Sequence, residues 1–274
     1  MGTGGPGYRD TTMSLIDLHL HLLPGVDDGP PDEAESLTHA RRLMLTGVRE
    51  ATVTPHVGHP SFPLDVATIP ERTAALQATL DRERIGLRLH PGGEIHAQAA
   101  PHLGAGELDL IANGPRGARW VLLEVPFAGI DPSFLAGCAN VRSHGFGIVV
   151  AHPERAAGFL DAGLDALWPE LVRGAVLQVS VCSLLGHHGE EARTAGEHLV
   201  RTGLAYILAS DGHGGRRSHT LGPGADLARR ACASAVRARQ LTEANPAFLL
   251  RTGLPAGAPR GVPSARRPAA AAPS

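Results

Sequence analysis

Apolar residues along the chain fall into short runs, separated by longer stretches in which they recur at helical spacing. The short runs cover 15–19, 50–54, 87–90, 120–124, 147–151, 176–180 and 205–209. These lengths suit strands buried on both faces of a parallel sheet. Between them, 32–46, 70–84, 132–144, 164–172, 190–202 and 225–239 carry the pattern of amphipathic helices. Asp32 and Pro70 suit helix starts, and Gly47, Gly86, Gly145 and Gly203 suit helix ends. Seven strands alternating with helices predict an α/β fold with parallel strands, because each parallel crossover needs a dozen or more residues.

Residues able to do chemistry gather where these strands end. His19, His56, Glu124, His152 and Asp211 each lie at, or a few residues beyond, the C-terminal end of a predicted strand. An open α/β sheet builds its site around one switch point, whereas contributions from nearly every strand require a ring. The expected architecture is a barrel whose site is assembled from successive loops at its C-terminal rim.

Composition narrows the partners. A formal charge of −2 over 274 residues supplies no basic field for gripping nucleic acid. No window approaches the ~18 unbroken apolar residues of a membrane span, and the opening residues lack the basic and apolar regions of a secretory leader. A cytoplasmic protein without membrane insertion is expected, and an oligomer stays open. Residues 1–13 and the Pro/Ala/Arg-rich 255–274 are expected to be disordered, flanking one barrel domain over 14–254. Cys138, Cys182 and Cys232 make neither a disulfide framework nor a paired-cysteine metal site. Cysteine-based phosphatase chemistry also needs an arginine six positions after the thiol, where His144, His188 and Ala238 stand instead. The 15 histidines are the feature that requires an explanation.

The strongest local motif is Asp17-Leu18-His19-Leu20-His21. Residues i and i+2 of an extended strand point the same way, so His19 and His21 can present two imidazoles to one cation. Asp27-Asp28-Gly29, Thr54-Pro55-His56, Gly92-Gly93-Glu94-Ile95, Leu123-Glu124-Val125-Pro126, Ala151-His152-Pro153-Glu154-Arg155 and Ser210-Asp211-Gly212-His213 follow in order. Each places an imidazole or carboxylate in a turn after a strand. Singly they read as solvated loops; in order around a barrel they read as a metal site. Together, from Ile16 to His213, they resemble the polymerase and histidinol phosphatase (PHP) family of metal-dependent phosphoesterases. Within it they are most similar to the bacterial capsule-associated, manganese-dependent protein-tyrosine phosphatases.

That resemblance implies a distorted (β/α)7, TIM-like barrel holding three divalent metal ions. It implies His19, His21, Glu94 and Asp211 around one ion, with Glu94 bridging to a second completed by Glu124 and His152. Asp28, His56 and His213 then hold the third, with Asp27 the neighbouring alternative to Asp28. Five imidazoles and four carboxylates without a thiolate suit manganese, and also iron, cobalt or zinc. Three divalent ions outweigh the carboxylates and a bridging hydroxide, which leaves positive charge for a phosphate dianion. Water bound to such ions has its pKa lowered from 15.7 toward roughly 7, so attack of metal-bound hydroxide on phosphorus is the expected chemistry.

Arg155, Asp211 and His213 are the expected catalytic residues. Arg155 can fork onto phosphate oxygens. The family's second arginine falls on Arg216 or Arg217, and the sequence leaves that choice open. The family's common SDAH reads SDGH here. His59, His96, His187 and His188 are candidates for outer positions or for the mouth of the barrel. The implied partner is the phosphotyrosine-containing tail of a kinase controlling capsule or exopolysaccharide synthesis. The alternatives are a phosphatase of a small phosphomonoester such as histidinol phosphate, or an inactive barrel serving as a binding module.

Overall fold

The computed structural model describes residues 14–231 and 234–257. The expected extension over 1–13, most of the 255–274 tail, and Cys232 lie outside the described residues. Pro255 lies within them and forms a β-bridge with Phe146.

Among the described residues, nine strands follow in chain order: β1 (Leu15–Leu20), β2 (Val48–Val53), β3 (His56–Val57), β4 (Arg88–Pro91), β5 (Glu94–Ile95), β6 (Trp120–Glu124), β7 (Gly147–Ala151), β8 (Val176–Ser180) and β9 (Ala205–Ala209). All named strand pairs are parallel, in two runs ordered β1-β2-β4 and β3-β5-β6-β7-β8-β9. β2 and β3 are successive halves of one stave, interrupted at Thr54-Pro55; β4 and β5 are halves of another, interrupted at Gly92-Gly93. Side chains do not fit at the second break. A Cβ on Gly92 would meet Thr52 Cγ2 at 2.4 Å, and one on Gly93 would meet Val57 Cγ2 at 2.7 Å.

Seven staves result, as the apolar runs predict. The ring closes through residues just beyond β9. Leu20 bridges Gly212 in parallel, the Asp211 amide donates to the His19 carbonyl at 3.0 Å, and the His21 amide donates to the Gly212 carbonyl at 2.9 Å.

Helices α1 (Glu33–Leu45), α2 (Ile69–Arg82), α3 (Ala105–Ile111), α4 (Pro132–Ser143), α5 (Leu164–Val172), α6 (Val181–Leu184), α7 (Glu190–Thr202), α8 (Leu221–Ala231), α9 (Ala235–Arg239) and α10 (Asn245–Arg251) fill the connections. Asp32 caps α1 by accepting from the Glu35 amide, and Asp131 caps α4 by accepting from the Phe134 amide. The pattern over 225–239 resolves into α8, which begins earlier at Leu221, and α9. Pro223 and two glycines disguise that start, yet proline is tolerated in a first turn whose amides have no intrahelical acceptor.

Packing divides into two clusters. The larger lies between the staves and the surrounding helices. The smaller fills the lower barrel interior with Ile16, Leu18, Trp120, Leu122, Val149, Val176 and Ile207, under Leu249 and Leu254. Trp120 Nε1 donates to the Leu249 carbonyl at 2.9 Å, which ties this plug to α10. Along β6 and β8, positions of one parity run apolar to polar up the barrel: Trp120, Leu122, Glu124, and Val176, Gln178, Ser180. β1 behaves differently. Leu18 packs in the interior cluster while His19, of opposite parity, reaches the site. Its register with β2 shifts between Asp17 and Leu20, where the strand changes face.

Candidate metal centre

His19 and His21 lie at the top of β1, His56 and Glu94 open β3 and β5, Glu124 ends β6, and His152 follows β7. Asp211 and His213 follow β9, and Asp28 comes from the loop after β1. Their donor atoms converge. His19 Nε2 stands 3.3 Å from both Glu94 Oε2 and Asp211 Oδ1. His21 Nε2 is 3.3 Å from Glu94 Oε2, His56 Nδ1 is 3.2 Å from the same oxygen, and His152 Nε2 is 2.8 Å from Glu94 Oε1. Asp28 Oδ1 lies 3.4 Å from Nε2 of both His56 and His213. Glu124 shares a ligand-atom group with His56 and Glu94.

This donor set fits divalent cations. His19 Nε2, His21 Nε2, His56 Nδ1 and Asp28 Oδ1 are buried without a hydrogen-bond partner, an arrangement that natural interiors rarely leave unexplained. The opposite edges of three rings are held. His19 Nδ1 lies 3.0 Å from Gln178 Oε1, His21 Nδ1 lies 2.7 Å from Asp27 Oδ2, and His213 Nδ1 lies 2.8 Å from the Asp211 carbonyl. An acceptor at Nδ1 fixes the proton there and leaves the Nε2 lone pair directed into the site.

The electrostatics agree. Burial opposes protonation of His19, but Glu94 and then Asp211 raise it to about 9. Burial likewise opposes charge on His21, and Asp27 holds its proton well above the usual imidazole range. Burial, then the Glu94 charge, pushes Glu124 up to about 9. Glu94 and Asp211 resist the same burial because His19 holds both carboxylates below their ordinary range. Crowded carboxylates therefore demand positive charge. Two of these residues also depart from ordinary backbone geometry, His152 at φ +30° and Asp211 at φ +52°. Such conformations cost about 1–3 kcal/mol and concentrate at functional sites.

A cavity of about 400 Å³ opens above the cluster. Arg155 enters it from the turn after β7, with Nη1 3.1 Å from Asp211 Oδ2 and its guanidinium 4.3 Å above the Phe127 ring. Arg217 also lines it, bonded through Nη2 to Asp28 Oδ2 at 2.9 Å. Arg216 is exposed and is not among the lining residues, so the structure does not bring it to the site. His59, His187 and His188 line the cavity, while His96 stands behind, edge-on to His59 at 5.1 Å. Cys182 lines it too, but burial pushes its thiol up to about 12, unsuited to a nucleophile.

Spacing alone offers Asp27 only as an alternative ligand and misses Gln178; both are supporting residues. Asp27 accepts from His21, from the His56 amide at 3.1 Å and from the Gly29 amide at 2.9 Å. Gln178 holds His19 and also accepts from the His152 amide at 3.1 Å. The available signal for Gln178 is its place as an amide between Leu177 and Val179 in a buried strand.

Fold and site together define a parallel α/β barrel with a cluster of candidate cation donors at its rim. The chain belongs to the capsular polysaccharide synthesis CpsB/CapC family, whose model matches residues 15–251. It is 29% identical to the tyrosine-protein phosphatase YwqE of Bacillus subtilis over 199 residues, covering 73% of this chain and 77% of YwqE. Crystal structures of YwqE from Bacillus subtilis and CpsB from Streptococcus pneumoniae, described as metal-dependent tyrosine phosphatases, supply a match with TM-score 0.74 and 26% identity. That match covers 90% of this chain and 98% of the other. The phosphotriesterase homology protein of Escherichia coli (TM-score 0.52, 16% identity, 86% of this chain and 97% of that one) shares the fold. Among the described residues no helix is long and apolar enough to cross a membrane.

Proposed function

We propose that this chain is a metal-dependent protein-tyrosine phosphatase, a phosphoric monoester hydrolase without a cysteine nucleophile. The carrying observation is the set of unpartnered, buried donor atoms on His19, His21, His56 and Asp28, gathered with Glu94, His152, Asp211 and His213 below a cavity lined by Arg155 and Arg217. In this reading three divalent ions, manganese first, are held by His19, His21, Asp28, His56, Glu94, Glu124, His152, Asp211 and His213. Bound there, divalent cations supply Lewis acidity toward phosphoryl oxygens and water ionised near neutral pH.

The chain's own residues do the rest. Arg155 offers planar paired donors to a phosphate, and its bond to Asp211 sets the direction of the guanidinium. Arg217 brings a second positive charge from the loop after β9. Phe62, stacked on His56 at 5.3 Å, and Phe127, 48% exposed, flank the mouth with apolar faces suited to a phenyl ring. A phenol leaves readily, with a pKa of about 10, so no dedicated general acid is required.

YwqE and CpsB carry the same named activity, and the family's connection to capsular polysaccharide synthesis favours the phosphotyrosine tail of a capsule or exopolysaccharide kinase as substrate, in the cytoplasm. The test is hydrolysis of a phosphotyrosine peptide beside histidinol phosphate by manganese-loaded protein. Preference for the peptide is expected; preference for histidinol phosphate would replace this reading with the small-molecule phosphatase.

A further inference from the structure

Among the described residues, one more group of ligating atoms, apart from the nine donors, meets on the cavity rim. The donor atoms of Cys182, His187 and His219 all lie within 4.8 Å of one another. Local structure brings the first two together. After α6, the Gly186 amide donates to the Ser183 carbonyl at 2.9 Å and the His187 amide donates to the Cys182 carbonyl at 3.0 Å. Gly186 adopts φ +83°. This is a Schellman ending, in which the residue after the left-handed glycine packs against the residue whose carbonyl it caps. An apolar pair commonly fills that contact; here a thiol and an imidazole fill it.

His219 arrives from the loop after β9. That loop returns so closely that a Cβ on Gly212 would lie 2.6 Å from the His219 carbonyl oxygen. His39 Nε2 sits 3.3 Å from the same oxygen. The SDGH variation at residue 212 therefore has a local purpose, since glycine gives the returning loop room. The His187 and His219 rings stand 4.9 Å apart. His188 points elsewhere, its Nδ1 3.0 Å from Ser183 Oγ.

We propose that Cys182, His187 and His219 form a separate cation site that takes a soft divalent ion of the zinc class. One sulfur and two imidazoles with an open fourth position make a zinc-type donor set. The nine-donor centre offers nitrogen and oxygen only, so the sulfur separates the two sites chemically. As the sulfur–cation bond forms, the Sγ–H bond breaks and its proton passes to solvent. The bound ion joins the turn after α6 to the loop after β9, two segments that both line the cavity.

Cobalt(II) is the probe, added to protein already loaded with manganese. Sulfur ligation gives a ligand-to-metal charge-transfer absorption in the near ultraviolet, which a nitrogen and oxygen centre does not give even if cobalt replaces its manganese. The expected result is a band saturating at a single equivalent, displaced by zinc, lost in Cys182→Ser and kept in Cys138→Ser. His187→Ala removes an exposed side chain with little risk to folding, and should weaken cobalt binding roughly tenfold or more. No band in the native protein, or a band undiminished in both Cys182→Ser and His187→Ala, overturns the proposal. Neither readout depends on turnover, so the result stands apart from the phosphatase reading.

Discussion

Asp27 Oδ2 lies 2.7 Å from His21 Nδ1 and turns the opposite edge of that ring toward Glu94 and Asp211. One carboxylate thus sets both the proton position and the orientation of a proposed ligand. Removing it leaves the ligand in place but free to rotate. Asp27→Ala should weaken manganese binding by about 10–100-fold, the range typical of such supporting partners. Asp27→Asn keeps an acceptor oxygen and should lose less. Calorimetric titration of the metal-free variants checks both, and unchanged affinity in Asp27→Ala would remove Asp27 from the account.

Gln178 does similar work without charge, accepting from His19 Nδ1 and the His152 amide. Gln178→Leu strands two buried donors, each costing about 1–3 kcal/mol when unsatisfied. The metal-free variant should show a lower denaturant midpoint with an unchanged slope. An unchanged midpoint would mean that water replaces the amide.

The metal-free protein should lose stability as pH rises from about 6.5 to 9. The folded His19 holds its proton to about 9, against 6.5 as its unperturbed value, so its contribution is present below 6.5 and lost through about 9. Glu124, raised to about 9, acts in the same direction because its ionised form is disfavoured in the fold. Groups with lowered values, including Glu94, Asp211, His152 and His213, titrate below this window. Manganese should reverse the slope, since deprotonated ligands bind it better. Thermal melts against pH, with chelator and with manganese, decide the matter; rising stability across this window in chelator would contradict the charge assignment.

Much of this arrangement is legible in the sequence. β6, β7, β8 and β9 occupy the runs at 120–124, 147–151, 176–180 and 205–209, because strands buried on both faces leave continuous apolar signals. His56–Val57 and Glu94–Ile95 are only two residues long, too short for any period, although their side chains carry chemistry. α3, α6 and α10 escape for the same reason of length. The nine proposed ligands are those that the family resemblance implies at the quoted motifs, and the structure gathers them at one rim. Gln178 escapes and Asp27 is legible only as an alternative ligand, because spacing reports which residues share a face and not what stands behind them. Likewise Arg216 and Arg217 are equivalent on paper, and they are separated by the structure, where Arg217 lines the cavity and bonds Asp28 while Arg216 does neither.

Arginine substitutions should follow that separation. Charge-assisted hydrogen bonds are worth about 1.5–3 kcal/mol, so Arg155→Ala should lower kcat/KM on a phosphotyrosine peptide by roughly 10- to 150-fold. Arg217→Ala should fall toward the lower end because its side chain is half exposed, and Arg216→Ala should be nearly silent. A large loss at Arg216 alone would reverse the assignment.

Anomalous diffraction at the manganese edge, from crystals grown with that ion, examines the shared premise directly. Three peaks are expected, enclosed by His19, His21, Glu94 and Asp211, by Glu94, Glu124 and His152, and by Asp28, His56 and His213. A well-ordered barrel with these side chains turned apart and no peak among them would contradict it.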